Sequence, residues 1–278
     1  MKKNNNIMGI DEILEECWFD INSGAFEKSW EIWERDLRSL SRQDITGTQV
    51  LSDYIRKIFM KGNKGIRNQS SVSIAGSNWK KMLWTICASL STSGYTIPLL
   101  GKKMIGKVLN KQLLDLITIK IGDRTALKIT PDLIIIRFKT RIIDANNLDD
   151  LRKIIDNDIS IIDSISILWA KTNFNDNIKE YMLWSWIGEN QSKEKEPFLN
   201  YSWVTVPTND PTKYAKGNAP LIRAKSMNNG GFWGIGDIPD LEMKSIIELI
   251  PDWRENMKRF HEQGKESKFI NSAFSKYD

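Results

Sequence analysis

Two short isoleucine-rich runs constrain this chain more than any other feature: ITPDLIIIRF over residues 129–138 and SILWAKT over residues 166–172. An apolar run this short, with no polar alternation, is the pattern of a strand buried on both faces, so the pair predicts a sheet covered on both sides. Each run also meets a charge at its edge. Asp132 stands at the start of the first and Lys171 at the end of the second. On neighbouring strands, a carboxylate and an ammonium so placed can share one metal ion and one phosphate group.

The flanking sequence reads as helices around that sheet. Apolar residues recur at three- and four-residue spacing over residues 10–19, 26–37 and 50–59. The glycine- and lysine-containing stretch 61–70 reads as a solvated loop suited to meeting phosphates. A helix is expected from Gly76, with Ser77 or Asn78 as its N-cap, and another over residues 104–119. Strands are expected over 125–129, 133–138, 165–170 and 201–206, with a short helix or excursion beginning at Leu148. Asn175 or Asp176 caps a helix expected to run to Ile187, and two helices, 241–250 and 253–262, close the chain. This order predicts an α/β (α+β) fold: a central mixed sheet flanked by helices, with helical additions at both ends. With no internal repeat and no long linker, residues 1–278 read as one domain. Residues 1–75 form its helical N-terminal region, residues 76–207 its core, and residues 208–278 a basic loop with helices.

Composition removes several chemistries. The single histidine, His261, stands in a charged C-terminal segment, which argues against histidine-based triads, histidine-ligated zinc and histidine proton relays. Cys17 and Cys87 form neither a metal-binding spacing nor a disulfide framework, which points to a reducing cytoplasm. The N-terminal MKKNNN leads into acidic residues, so no signal peptide is expected, and no apolar run reaches the ~20 residues of a membrane span. The net charge of +5 suits an anionic partner without requiring one.

A second group of residues has the donors for such a partner. In residues 220–234, Arg223, Lys225, Asn228 and Asn229 can read guanine and adenine edges, while Gly230 and Gly231 allow close approach of backbone to a groove. The competing interpretation is a surface loop over an aromatic plug, Phe232 and Trp233. Lys213 and Lys216 are better suited to phosphates than to bases.

Pro131-Asp132, the apolar strand after it, and the later strand ending in Lys171 resemble the PD-(D/E)xK nucleases, in particular type II restriction endonucleases. The resemblance covers about residues 76–207 as strand order and motif. A helix after Lys171 and a strand near 201–206 agree with it, and GSNW at 76–79 looks like the start of a helix that supplies an acid in some of these enzymes. Two departures stand out. Trp169 occupies the place of the motif's acid, and Lys80 stands where the helix often carries one. Some members with this pattern take the missing carboxylate from the following helix, where Glu180 is the first choice and Asp176 the second. Glu12 and Glu16 are further carboxylates on the first helix.

The resemblance implies Mg2+-dependent, site-specific hydrolysis of double-stranded DNA. Asp132 and Glu180 (or Asp176) would hold metal, Lys171 would position water and phosphate, and a homodimer would cut both strands of a symmetric site. Two other functions stay open: a non-catalytic DNA-binding protein, and a less specific repair or defence nuclease of the same superfamily.

Overall fold

A computed structural model describes residues 9–41, 58–59, 69–91, 94–117, 131–171, 199–205, 231–232 and 273. Helices α1 (Gly9–Ile21) and α2 (Ala25–Ser41) precede the long α3 (Gln69–Ser89). Strand β1 (Thr96–Leu100) leads into α4 (Gly101–Val108) and α5 (Lys111–Leu116). Then follow β2 (Leu133–Phe138), α6 (Leu148–Asn157), β3 (Ile162–Lys171), β4 (Leu199–Thr205) and the two-residue β5 (Gly231–Phe232).

The strands form one sheet in the order β1-β2-β3-β4-β5. β1, β2 and β3 are antiparallel, whereas β3 with β4 and β4 with β5 are parallel. The mixed sheet flanked by helices is the α+β architecture the sequence predicts. The two isoleucine-rich runs lie side by side, with Leu133 opposite Leu168 and Ile136 opposite Ile165. Four successive residues of β2, Leu133 to Ile136, are all buried, so this strand is covered on both faces. Helix α3 packs on β1 and β3, and one apolar cluster joins α1, α2 and α3 to the sheet. Trp18, Phe26, Trp30 and Trp33 fill the N-terminal end of the core through edge-on and tilted ring contacts.

Several boundaries differ from those the sequence predicts. Helix α3 begins at Gln69, not near Ser77, so Gly76, Ser77 and Asn78 lie inside it. Gly76 is tolerated because burial of Trp79, Met82 and Leu83 outweighs a cost of about 1 kcal/mol for a mid-helix glycine. Asn78 is no N-cap: its amide donates to Ser29 Oγ at 2.9 Å and ties α3 to α2.

The helix expected over 104–119 is two helices. Asn110 breaks it, its side-chain oxygen accepting from the Leu113 N–H at 2.9 Å as the N-cap of α5. Strand β1 is not among the expected strands, since Pro98 argues against a central strand. Among the described residues it lies at the sheet edge, where a missing N–H leaves no ladder bond unmade. The Pro98 carbonyl instead accepts from Trp84 Nε1 on α3 at 2.9 Å. The expected strand 125–129, most of the helix 50–59, the helix reaching Ile187 and the closing helices lie outside the described residues. Among the described residues no helix is long and apolar enough to cross a membrane.

Candidate active site

Asp132 lies where three elements converge. Its N–H donates to the Leu168 carbonyl of β3 at 3.2 Å, and its own carbonyl accepts from the Gly101 N–H at 2.9 Å. Gly101 sits at φ 65°, between the end of β1 and the first turn of α4. A glycine adopts that left-handed conformation at no steric cost, which turns its N–H back towards Asp132. The backbone of Asp132 is thus pinned from the β1–α4 turn on one side and from β3 on the other.

The carboxylate is pinned as well. Its Oδ2 accepts from the Ala170 N–H of β3 at 2.9 Å, and its Oδ1 forms an ion pair with Lys80 Nζ of α3. The Asp132 side chain is 17% exposed and that of Lys80 37%, so the pair sits at the rim of the core. An aspartate at the mouth of a buried strand needs such partners, because an unpaired charge there is costly.

Asp132 is bonded to Leu168 and to Ala170, so Trp169 lies between the two β3 residues that hold it. Trp169 is 1% exposed, a core residue at the place where the nuclease motif carries its acid. The backbone of Lys171 pairs with Thr205 of β4; its side chain lies outside the described residues. The two charged ends that the sequence singles out are therefore brought to one end of adjacent strands.

The other candidates fall elsewhere. Glu180 and Asp176, with Lys213, Lys216, Arg223, Lys225, Asn228 and Asn229, all lie outside the described residues. Glu16 Oε1 is 3.4 Å from Lys107 Nζ, and Asp20 Oδ2 is 2.9 Å from Lys103 Nζ, so these two acids bridge α1 to α4. The Lys103 ammonium, by its hydrogen bond, holds the Asp20 carboxyl below the usual carboxylate range.

The described residues alone do not fit a divalent metal ion. Among them no three His, Cys, Asp or Glu side chains group together. Both oxygens of Asp132 already have partners, one of them a cation. A hard divalent ion needs several oxygen ligands, and a single carboxylate engaged in this way does not provide them.

Sequence reasoning misses the partner that completes the site, because it registers Lys80 only as a departure from a motif. The available signal is physical: a lysine next to the apolar Trp79, on a helix that packs against the strands on either side of the one Asp132 leads into.

No protein-family model matches the chain, and no curated protein matches it in sequence. Among solved structures it is similar to BsaWI, described as a pre-specific restriction endonuclease in complex with DNA. The two are 12% identical, the match covers 89% of this chain and 97% of that one, and the TM-score is 0.33. It is also similar to the Bse634I restriction endonuclease, 12% identical over 59% of this chain and 68% of that one, with a TM-score of 0.31. Likeness of that degree carries no argument about the chemistry of this chain, which rests on its own residues.

Proposed function

We propose that the chain is a type II restriction endonuclease that hydrolyses phosphodiester bonds of double-stranded DNA at a specific site and depends on Mg2+. The observation that carries this reading is the fixed Asp132 carboxylate at the head of β2, held beside the end of β3 where Lys171 follows Ala170. Phosphodiester hydrolysis builds negative charge on the phosphate, and a lysine ammonium beside it offsets that charge and orients the attacking water. Lys171 has that role in this reading. Glu180, with Asp176 as second choice, supplies the carboxylate that the described residues lack. Lys213 and Lys216 take phosphates, while Arg223, Lys225, Asn228 and Asn229 take base edges. Cutting both strands of a symmetric site requires two such centres, hence a two-fold homodimer acting in the cytoplasm.

A second reading is favoured by specific observations: Trp169 in the place of the acid and Lys80 against Asp132 both suit a DNA-binding protein without catalysis. Incubation of a long duplex DNA with Mg2+ or with EDTA separates the two. Discrete fragments that vanish in EDTA are the expected result. Intact DNA with binding retained supports the non-catalytic protein, and a smear supports a less specific nuclease.

A further inference from the structure

The charge of Asp132 is balanced by the chain itself, through Lys80. We infer that the chain binds duplex DNA without a divalent metal ion, because the Lys80 ammonium masks the Asp132 carboxylate and donates to a DNA phosphate. The inference rests on the proposed reading in one respect, that DNA is brought to the end of β2 and β3, which the nuclease and the non-catalytic protein share.

A bare carboxylate and a phosphodiester are both negative, so they repel each other at close range unless a cation stands between them. Here the cation is built in. Asp132 Oδ1 faces the Lys80 ammonium, while Oδ2 accepts from the Ala170 N–H. An ammonium carries several N–H donors, and one carboxylate oxygen does not use them all, which leaves a donor for a phosphate. The carboxylate is the more enclosed partner, 17% exposed against 37% for the lysine side chain. An anion arriving from solvent therefore has more of the lysine to meet.

The frame around the pair adds no second acid. Asp132 is bonded to Lys80, Gly101, Leu168 and Ala170. None of these residues and none of their immediate chain neighbours is acidic, while Lys102 and Lys171 directly follow Gly101 and Ala170. Lys80 also rises from a fixed base. On α3, Trp79 is fully buried, Asn78 bonds Ser29 Oγ at 2.9 Å, and Trp84 Nε1 bonds the Pro98 carbonyl at 2.9 Å. Lys81 is committed elsewhere, donating to the Ile21 carbonyl at 2.7 Å. With Asp132 pinned through its own backbone, the ammonium is held in place before DNA arrives, and less ordering is left for binding to impose.

The test reads DNA binding in EDTA, where metal-dependent cleavage cannot intervene. Retention of a long linear duplex by the full chain is measured over a range of salt for the wild type, Lys80→Met, Asp132→Asn and the double variant. The wild type should bind. Lys80→Met removes a phosphate contact and exposes the carboxylate, so it should bind about tenfold more weakly. Asp132→Asn should bind at least as tightly as the wild type. The double variant should bind better than Lys80→Met, yet its slope of log affinity against log salt should be lower by about 1 than that of Asp132→Asn. No retention of the wild type in EDTA would overturn the proposal, as would equal affinity of the wild type and folded Lys80→Met. If circular dichroism shows that Lys80→Met does not fold, the double variant decides, because it leaves no unpaired charge. A salt slope equal to that of Asp132→Asn then contradicts the inference. The two readings fail separately. A chain that binds in EDTA through Lys80 but never cuts in Mg2+ loses the nuclease reading alone. A chain that cuts in Mg2+ while its binding in EDTA is absent or indifferent to Lys80 loses this inference alone.

Discussion

Cys17 and Cys87 show how far one side chain's surroundings set its chemistry. Both are free and buried, and burial pushes the Cys17 thiol from 9.0 up to about 12 and the Cys87 thiol further still. A thiol reagent should therefore leave both untouched in the folded protein at pH 8 and label two after denaturation, a result that mass spectrometry reads directly. The pH consequence has a definite sign. Because the folded Cys17 keeps its proton above the value at which the unfolded chain loses it, its contribution to stability is complete below pH 9 and is lost between pH 9 and about 12. Melting temperature should fall across that window, and a Cys17→Ser chain should fall less steeply over the same range. At this scale the sequence singles out Asp132 but not the partners that hold it, the Ala170 N–H and Lys80. A motif written in residue types does not contain Lys80, because the contact depends on α3 crossing the sheet at one particular height.

Elements are legible where burial and local chemistry agree. The run 133–138 is read without error because four consecutive isoleucine and leucine residues have no stable place except between two covered faces. Ile134→Ala should accordingly cost about 2–5 kcal/mol in chemical denaturation, whereas Arg137→Ala, at an exposed position of the same strand, should cost under about 1 kcal/mol. Where tertiary context decides, the sequence misleads. Pro98 hides an edge strand, since nothing local states that β1 is outermost. Asn110 looks like the interior of one helix although its side chain starts another. Asn110→Ala should lower stability by about 1 kcal/mol. A change within a few tenths of zero would mean that the cap adds nothing there.

At the scale of the whole molecule, the antiparallel pairing sets Asp132 and the backbone of Lys171 at one end of β2 and β3, and a net charge of +5 favours an anionic partner. If Lys213 and Lys216 take phosphates, affinity for duplex DNA should fall steeply with salt, and Lys216→Ala should lower the slope of log affinity against log salt by about 1 without changing sequence preference. The fold is legible as a mixed sheet because apolar runs mark β2, β3 and β4, although β1 is missed. Metal ligation is not, because a second carboxylate is defined by distance in space and spacing along a chain does not supply it. The central claim is that Asp132 anchors a phosphodiester-cleaving site. Its most direct test compares wild type with Asp132→Asn on the same duplex in Mg2+, with binding measured in parallel. The prediction is that binding survives while the cleavage rate falls at least about 10²-fold. Cleavage by Asp132→Asn at the wild-type rate would contradict it.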